Sequence, residues 1–259
     1  MYLLVDIGNS TVVIACTDNN GAIASTWHFK TVKSETISFY RNEIRSGLRR
    51  FGFLNQDGIS ADIQEVVISS VVPEVNDKVS QAIFDVLGIL PRFLGLDDIR
   101  KVLPVDVDSP SQIGRDRLGD AVGALSCYGA PAIVFDLGTA TTVGIINDEG
   151  VFVGGMIIPG VKTALNALSA RASQLPVVNI EEPQHIIGRN TVECMQSGIL
   201  YGTAAMIDGL IDRFMPMFSK PVNIVATGGM AKRIVPSCKH KIIIEEFLQL
   251  KGLLAVIRQ

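Results

Sequence analysis

Several short patterns that mark common enzyme classes are missing from this 259-residue sequence. No glycine is followed directly by lysine, which excludes the P-loop of nucleoside triphosphatases. No Gly-x-Gly occurs, which excludes the dinucleotide fingerprint and the glycine-rich loop of protein kinases. The three histidines, His28, His185 and His240, are scattered, and none begins a His-Glu-x-x-His zinc motif. A Ser-His-Asp site has no support in this spacing either.

Cysteine is scarce and unpaired in the sequence. The four residues are Cys16, Cys127, Cys194 and Cys238, and no Cys-x-x-Cys occurs. That spacing argues against zinc ribbons and thioredoxin-type redox motifs, and it predicts buried, reduced thiols. Charge of one sign is lacking too, with 23 Lys plus Arg against 26 Asp plus Glu. Without a basic surplus we expect no nucleic-acid partner.

Long hydrophobic runs are also absent. Apolar stretches such as residues 151–161 are broken by glycines and stay far short of the 18 or more residues needed to cross a bilayer. The first residues lack a basic region and contain Asp6, so they do not form a signal peptide. We therefore expect a cytoplasmic protein without a membrane partner.

What the sequence does contain is typical of a compact globular protein. Hydrophobic residues make up 47%, charged residues 19%, and the mean hydropathy is +0.34. This composition excludes disorder over most of the chain. The length allows one large domain or two of roughly 130 residues.

An internal repeat favours two domains. A buried run followed by Asp-x-Gly and a β-branched strand begins at Asp6 and again at Asp136, an offset of 136 − 6 = 130 residues. The pairs aligned by this offset are Asp6 with Asp136, Gly8 with Gly138, Thr11 with Thr141, and Val13 with Val143. Because half the chain is also about 130 residues long, the sequence predicts two related halves, residues 1–114 and 115–259.

Hydrophobic periodicity and helix signals predict the order βββαβα for the first half. A second amphipathic helix pattern opens the second half, and Asn190 with Glu193 three positions later is typical of a helix N-terminus. The predicted helices are 34–50, 74–87, 115–128 and 190 to about 218, and the predicted later strands are 65–72 and 222–226. We therefore expect an α/β protein with two mixed sheets and flanking helices.

The repeated hairpins point to phosphate chemistry. Glycine at the turn lets backbone N–H groups approach an oxyanion, the following Asn, Ser or Thr adds donors, and aspartate supplies a hard oxygen ligand for a cation. One such hairpin is weak support, since Asp and Gly are common in turns. Two copies at half-chain offset predict an ATP site in which both hairpins grip the phosphates across a cleft. The small residues Thr227-Gly228-Gly229 after a strand could accommodate adenosine.

A candidate base lies at the start of the helix predicted at residue 115, in Gly114-Arg115-Asp116-Arg117. Arginines flanking an acid usually form a solvated ion pair. At a helix start beside the expected cleft, however, Asp116 could accept a proton from an attacking hydroxyl while arginine binds an anionic substrate. Phosphoryl transfer needs little more than this positioning.

The ordered motifs, taken together, resemble the type III pantothenate kinases of the actin-like, sugar-kinase-like ATPase superfamily. The motifs carrying the resemblance are Asp6-Ile-Gly-Asn-Ser, Ser69-Ser-Val-Val-Pro73, Gly114-Arg-Asp-Arg117, Asp136-Leu-Gly-Thr-Ala-Thr-Thr142, Gly154-Gly-Met-Ile-Ile-Pro-Gly160, Ala172-Ser-Gln-Leu-Pro176, Asn190-Thr191, Ser197-Gly198 and Thr227-Gly-Gly229. The resemblance implies duplicated ribonuclease-H-like halves. It also implies ATP-dependent phosphorylation of pantothenate to 4′-phosphopantothenate at the first step of coenzyme A synthesis.

Site residues follow from the resemblance position by position. The residues implied for ATP and its Mg²⁺ are Asp6, Ile7, Gly8, Asn9, Ser10, Thr11 and Thr139. The residues implied for the pantothenate pocket are Gly114, Arg115, Asp116, Arg117 and Thr191, with Asp116 as proton acceptor. Asp136 is implied as a ligand of a monovalent cation, K⁺ or NH₄⁺. Thr191 would reach pantothenate from the neighbouring subunit, which implies a homodimer with composite sites.

One position departs from the family pattern, and two other functions compete. Val107 stands where family members commonly have a tyrosine, and loss of that pocket wall is expected to raise KM rather than abolish the reaction. One alternative is a non-enzymatic accessory or activator relative, but Asp6, Asp116 and Asp136 are all retained. Another is a sugar kinase or ATPase of the same superfamily, but a sugar kinase should be longer.

Overall fold

The computed structural model describes residues 1–55 and 62–259 and divides the chain into two compact units. The first unit contains Met1–Val102, Ser111–Gly123 and Gln249–Gln259, and the second contains Leu103–Pro110 and Ala124–Leu248. Each unit is therefore assembled from segments that are distant in sequence. The predicted halves 1–114 and 115–259 were drawn from the sequence repeat, whereas the two units are defined by compactness in space. The predicted halves therefore stay a prediction.

A five-stranded mixed sheet forms the centre of the first unit. Its strands are β1 (Tyr2–Ile7), β2 (Thr11–Thr17), β3 (Ile23–Lys30), β4 (Glu65–Ser70) and β5 (Arg92–Phe93). The order across the sheet is β3-β2-β1-β4-β5. Strands β1, β2 and β3 pair antiparallel, while β4 pairs parallel with both β1 and β5.

The second unit repeats this sheet with the same order and directions. Its strands are β6 (Ala132–Leu137), β7 (Ala140–Ile146), β8 (Phe152–Pro159), β9 (Asn223–Thr227) and β10 (Ile243–Ile244). The order is β10-β9-β6-β7-β8, with β6, β7 and β8 antiparallel and β9 parallel to both β6 and β10. The predicted α/β class with two mixed sheets is confirmed.

Helices flank both sheets, and a side-chain cap marks the start of α1 and of α6. They are α1 (Ile37–Arg50), α2 (Pro73–Leu87), α3 (Leu96–Arg100), α4 (Arg115–Tyr128), α5 (Val161–Arg171), α6 (Thr191–Phe214), α7 (Ala231–Ile234) and α8 (Leu248–Ile257). The predicted start of α1 is three residues early, because the Thr36 side chain caps the helix by accepting from the Phe39 N–H. The long helix α6 starts after Asn190 as predicted but ends at Phe214, before a short 3-10 turn containing Pro216.

Strand pairing corrects the proposed repeat alignment by one residue. In the first hairpin Asp6 pairs with Val13, whereas in the second Asp136 pairs with Thr142, so the second turn is one residue shorter. The offset of 130 therefore holds through Gly138, and the alignments of Thr11 with Thr141 and of Val13 with Val143 are wrong. Beyond the turn the offset is 129, as between the positive-φ residues Gly21 and Gly150.

Each sheet buries an apolar face against helices. In the first unit, alternate residues of β1 such as Leu3, Val5 and Ile7 pack with residues of α1 and α2, including the fully buried Tyr40 and Ile83. Alternation along a strand places these side chains on one face of the sheet. The core of the second unit is built in the same way from β6, β7, β9, α5 and α6.

Helix α8 belongs to the first unit although its start lies 248 − 128 = 120 positions beyond the end of α4. The two helices approach at glycines: a Cβ on Gly252 would lie 2.9 Å from the Gly119 carbonyl carbon and 3.1 Å from the Gly123 nitrogen. At its end, Arg258 Nη2 donates to the Asn20 carbonyl oxygen at 3.0 Å. This helix therefore completes the first unit through backbone contact that larger residues would prevent.

None of the four cysteines forms a disulfide within the described residues, as expected, but the prediction that all are buried is wrong. Cys127 and Cys194 are exposed on helices α4 and α6, whereas Cys16 is buried and Cys238 is partly buried. Burial raises the pKa of the Cys16 and Cys238 thiols to about 12 in each case. No helix within residues 1–55 and 62–259 has the length and apolar character to cross a membrane.

Candidate functional site

The first Asp-x-Gly hairpin is a four-residue turn held from one side by a threonine. The Gly8 N–H donates to the Thr11 carbonyl oxygen at 3.0 Å. Thr31, which follows β3, donates its hydroxyl to the Gly8 carbonyl at 2.7 Å and its N–H to the Ser10 carbonyl at 3.1 Å. Asp6 is half-buried at the end of β1, and Asn9 and Ser10 are exposed at the tip. The turn therefore exposes polar groups to solvent while hydrogen bonds from Thr31 hold its backbone in place.

Asp6 is linked to helix α4 through residues of the same unit. Its strand neighbour on β4 is Ser69, which is 1% exposed. Gln249 Nε2 of α8 donates to Ser69 Oγ at 3.2 Å, and the Gln249 side chain also lies against Gly119 of α4. Gly119 is one helical turn beyond Asp116. The first unit thus brings the first hairpin and the start of α4 into one connected network.

The second hairpin has a shorter turn than the first, and the Asp136 carboxylate packs against that turn. The Gly138 N–H donates to the Ala140 carbonyl oxygen at 3.1 Å. A Cβ on Gly138 would be 3.3 Å from both carboxylate oxygens of Asp136, so that carboxylate folds over the turn. Asp136 is half-buried and Thr139 is exposed. The turn therefore places a carboxylate, a hydroxyl and backbone groups close together.

Two glycines enclose the second hairpin so closely that no side chain would fit. A Cβ on Gly160 would lie 2.6 Å from the Gly138 carbonyl oxygen and closer still to that of Thr139. Gly228 has φ +88°, and its Cβ would lie 2.7 Å from the Leu137 nitrogen and closer to Asp136 Oδ1. Thr163 Oγ1 donates to the Thr139 carbonyl at 2.7 Å. Asp136 therefore sits in a rigid cradle.

The oxygen atoms of these hairpins suit a cation whose coordination shell is completed by oxygen atoms of the substrate. Within the described residues, no group of three or more His, Cys, Asp or Glu side chains could hold a metal ion alone. Mg²⁺ in phosphate sites, however, is usually held by one or two carboxylates together with phosphate oxygens and water. Asp6 and Asp136 supply carboxylates of that kind, beside backbone carbonyls that suit hard cations.

The start of α4 shows why Gly114 precedes the candidate base. The Gly114 carbonyl accepts from the Leu118 N–H at 3.3 Å, and a Cβ on Gly114 would collide with Asp116 Oδ1. The same Asp116 oxygen accepts from the Arg117 N–H at 2.8 Å. A carboxylate in the first turn interacts favourably with the helix dipole. The glycine thus leaves room for a half-buried carboxylate at the helix N-terminus.

The two arginines beside Asp116 are half-buried. Burial lowers the pKa of the Arg117 guanidinium below its usual value, and the Asp116 charge opposes that change. Arg115 Nη1 is fully enclosed and has no hydrogen-bond partner among the described residues. An enclosed guanidinium donor without an acceptor is costly, and an anionic oxygen would satisfy it. The arrangement therefore fits a small anionic substrate.

Thr191 is placed at the first residue of α6, where it is exposed. Asn190 caps the helix by accepting from the Glu193 N–H at 2.9 Å. Hydrogen bonds from the Arg189 N–H and from His185 lower the pKa of the Glu193 carboxyl. Thr191 lies in the second unit, as do Asp136 and Thr139, whereas Asp6–Thr11 and Gly114–Arg117 lie in the first.

The remaining predicted positions lie at the end of the inner strand β9 and beside the edge strand β8. Thr227 ends β9 beside Asp136, and the Met230 N–H after Gly228-Gly229 donates to the Leu137 carbonyl at 3.1 Å. The segment bearing Val107 runs along β8, with the Asp106 N–H donating to the Phe152 carbonyl at 2.9 Å. A Cβ on Gly154 would contact Val107 Cγ1 at 4.0 Å.

Sequence reasoning assigned no site role to Thr31, Thr163 or Gly160, and it placed Gly228 near adenosine without foreseeing its close approach to Asp136. Thr31 and Thr163 donate hydrogen bonds to carbonyl oxygens of the turns. Gly160 and Gly228 allow the backbone to approach the second turn because they have no side chain. The repeat does not align the two threonines, because they are 163 − 31 = 132 residues apart, although each follows the third strand of its sheet. Gln249 has no sequence signal, because its contact with Ser69 joins residues 180 positions apart.

Comparisons with known proteins give one consistent family. A family model described as type III pantothenate kinase matches residues 2–213. A type III pantothenate kinase of Halalkalibacterium halodurans is 35% identical over 259 residues, covering 100% of this chain and 99% of the relative. Another, of Sulfurihydrogenibium sp., is 34% identical over 253 residues and covers 98% of each chain.

Solved structures with similar folds are more distant in sequence. A Baf family protein of Campylobacter jejuni has a TM-score of 0.60 at 17% identity, covering 99% of this chain and 97% of that one. The activator of 2-hydroxyisocaproyl-CoA dehydratase from Clostridium difficile has a TM-score of 0.55 at 14% identity, covering 98% and 92%. At such identities these likenesses show the fold alone.

Proposed function

The chain belongs to the type III pantothenate kinase family, and from that membership we propose that it phosphorylates pantothenate with ATP. The product is 4′-phosphopantothenate, which enters coenzyme A synthesis. The observation that carries this proposal is the half-buried Asp116 carboxylate in the first turn of α4, beside two half-buried arginines. Those groups supply a base and an anion site within one short segment.

We assign the ATP phosphates to residues 6–11 and to Thr139. Exposed Asn9 and Ser10 supply donors at the tip of a turn that Thr31 holds in place. A Mg²⁺ ion accompanies ATP in such reactions and neutralises charge that develops on the phosphates. Asp6 would hold it, since its carboxylate is a hard oxygen ligand at the end of β1.

Asp116 acts as the proton acceptor in this proposal. The primary hydroxyl of pantothenate loses its proton to the Asp116 carboxylate as its oxygen forms a bond to the γ-phosphorus. The bond from that phosphorus to the β–γ bridging oxygen breaks, and ADP leaves. The enclosed Arg115 Nη1 and the neighbouring Arg117 would bind the pantothenate carboxylate. Gly114 shapes the pocket by leaving room for the base.

Three further features belong to the same proposal. Asp136, in its glycine cradle, would ligate a monovalent cation, K⁺ or NH₄⁺. Two copies of the chain would form a homodimer in which Thr191 of one subunit contacts pantothenate bound to the other. The exposure of Thr191 and of the nearby apolar residues Ile186 and Ile187 supports that arrangement. The cytoplasm, where ATP is abundant, is the proposed location.

A coupled assay of ADP release tests the proposal directly. The protein is assayed with and without pantothenate, in potassium and in sodium buffer, with Asp116→Asn as the inactive control. We expect release that requires both pantothenate and potassium. ADP release without pantothenate would indicate an ATPase. No ADP release under any condition would favour a non-enzymatic accessory protein. Equal turnover in sodium would overturn only the cation assignment.

A further inference from the structure

The segment in front of helix α6 is fastened to the helix by one carboxylate. Glu193 Oε1 accepts from the His185 N–H at 2.9 Å and lies 2.8 Å from His185 Nδ1. Its other oxygen accepts from the Arg189 N–H at 2.8 Å. The Glu193 side chain is only 10% exposed, so solvent screens these bonds weakly. A single carboxylate therefore fixes both ends of residues 185–189.

Further contacts hold the middle of this segment against the first turns of α6. Ser197 Oγ donates to the Ile186 carbonyl, and Cys194 Sγ donates to the Gly188 carbonyl at 3.2 Å. A Cβ on Gly188 would lie 2.6 Å from the Glu193 carbonyl carbon, so only glycine allows this approach. Backbone groups at positions 185, 186, 188 and 189 are therefore all hydrogen-bonded to side chains of α6.

The side chains that this anchoring holds in place face solvent instead of a core. Ile186 is 66% and Ile187 is 83% exposed. Enclosing a charge is costly and adds little net stability on average. An anchor that serves packing alone would be expected to bury the apolar groups it orders. The ordered feature is instead the exposed surface that leads directly into Asn190 and Thr191.

We propose that Glu193 is a positioning residue for Thr191. Its N–H bonds to the Asn190 side chain and its carboxylate bonds to the Arg189 N–H, so it fixes the backbone immediately before Thr191. Thr191 then begins the helix with its hydroxyl in one place, ready to contact pantothenate. This inference rests on the proposed role of Thr191, and it adds a residue that does not itself touch the substrate.

Steady-state kinetics of Glu193→Gln test the inference. The amide keeps one acceptor oxygen but turns its nitrogen toward a donor, so at least one hydrogen bond is lost. We expect KM for pantothenate to rise roughly 5- to 20-fold, while kcat and KM for ATP stay within about twofold. Glu182→Gln removes the same charge from an exposed side chain of the preceding loop and should leave every constant unchanged.

A double-mutant cycle with Thr191→Ala separates positioning from a merely structural role. If Glu193 acts through Thr191, Glu193→Gln should not raise KM for pantothenate further in the Thr191→Ala background. An equal rise in both backgrounds, or no rise in the wild type, overturns the inference. If Thr191→Ala alone leaves KM unchanged, the proposed contact of Thr191 fails and the inference falls with it.

A milder variant covers the case in which Glu193→Gln does not fold. His185→Ala removes only the Nδ1 contact and leaves both backbone donors to Glu193 in place. It should raise KM for pantothenate about two- to fivefold, and again only when Thr191 is present. A rise that persists without Thr191, or no rise at all, contradicts the proposal.

Discussion

The two Asp-x-Gly hairpins share a motif and a strand order but differ in how closely the chain surrounds them. Around the first, a Cβ on Gly8 would lie 3.2 Å from the Thr11 carbonyl oxygen, and the tip residues Asn9 and Ser10 are exposed. Around the second, Gly160 and Gly228 leave no room for one more carbon atom. The longer turn is open, and the shorter turn is enclosed.

This difference fits two separate tasks for one duplicated motif. An open turn with exposed donors can adapt to phosphate groups that enter and leave with the nucleotide. An enclosed carboxylate cannot move far, which suits a ligand for a cation that stays in one place. Four predictions follow the comparison between the first unit, which contains the proposed base, and the second, which contains Asp136.

Removing the base should have the largest effect. Asp116→Asn keeps the shape of the side chain but cannot accept the proton, so kcat should fall roughly 10²- to 10⁴-fold. Nucleotide affinity, measured by equilibrium binding, should stay nearly constant because the phosphate hairpin is intact. Asp77→Asn, an exposed change in the same unit, is the control. Unchanged turnover would remove Asp116 from this role.

Adding one methyl group to each hairpin should separate the open turn from the enclosed one. Gly160→Ala should lower the free energy of unfolding by about 2–4 kcal/mol, because backbone carbonyls occupy the required space. Gly8→Ala should cost about 1 kcal/mol or less. Urea denaturation of both variants checks this, with Gly229→Ala as the control because no described atom lies within 4 Å of its Cβ. Equal losses at Gly8 and Gly160 would show that the two turns are equally tolerant.

The cation assignment predicts a smaller and more selective change. Asp136→Asn replaces a carboxylate with a neutral amide, a poorer ligand for a hard cation. The potassium concentration for half-maximal activity should rise roughly tenfold or more. Glu149→Gln, an exposed change in the second unit, should leave that midpoint unchanged. A titration that coincides with wild type would refute the assignment of Asp136.

Restoring an aromatic ring should have the smallest effect. Val107→Tyr should lower KM for pantothenate about two- to tenfold, since an aromatic wall adds contact area and one polar group. Val107→Phe separates the ring from the hydroxyl, because it supplies the area alone. The measurement is KM at saturating ATP. A higher KM for both variants would show that Val107 does not border the pantothenate pocket.

Much of the fold was predictable because its signals are local. Asn190 and Glu193 mark the start of α6, and the helix at Arg115–Tyr128 was predicted at its observed bounds. The duplication was visible in Asp6 and Asp136, but the one-residue shorter turn was not, since only strand pairing reveals it. Two aspartates in turns look alike in a sequence regardless of how tightly they are enclosed.

The sequence led to candidate site residues only where a motif indicates a particular chemistry. Gly114-Arg115-Asp116-Arg117 indicated a base and an anion site, and the structure adds the reason for its glycine. The contact of Gln249 with Ser69 and the approach of Gly160 to Thr139 join segments far apart in sequence. A contact between residues far apart in sequence, or a glycine that is needed for close packing, leaves no local pattern in the sequence.

Helix α8 has a consequence for the order in which the molecule can be made. Its contacts with Gly119, Ser69 and Asn20 lie in the first unit, so that unit lacks one of its helices until residues 249–259 have left the ribosome. The second unit contains no residue after Leu248. During synthesis the first unit is therefore begun first, but it gains helix α8 only after the second unit has been translated.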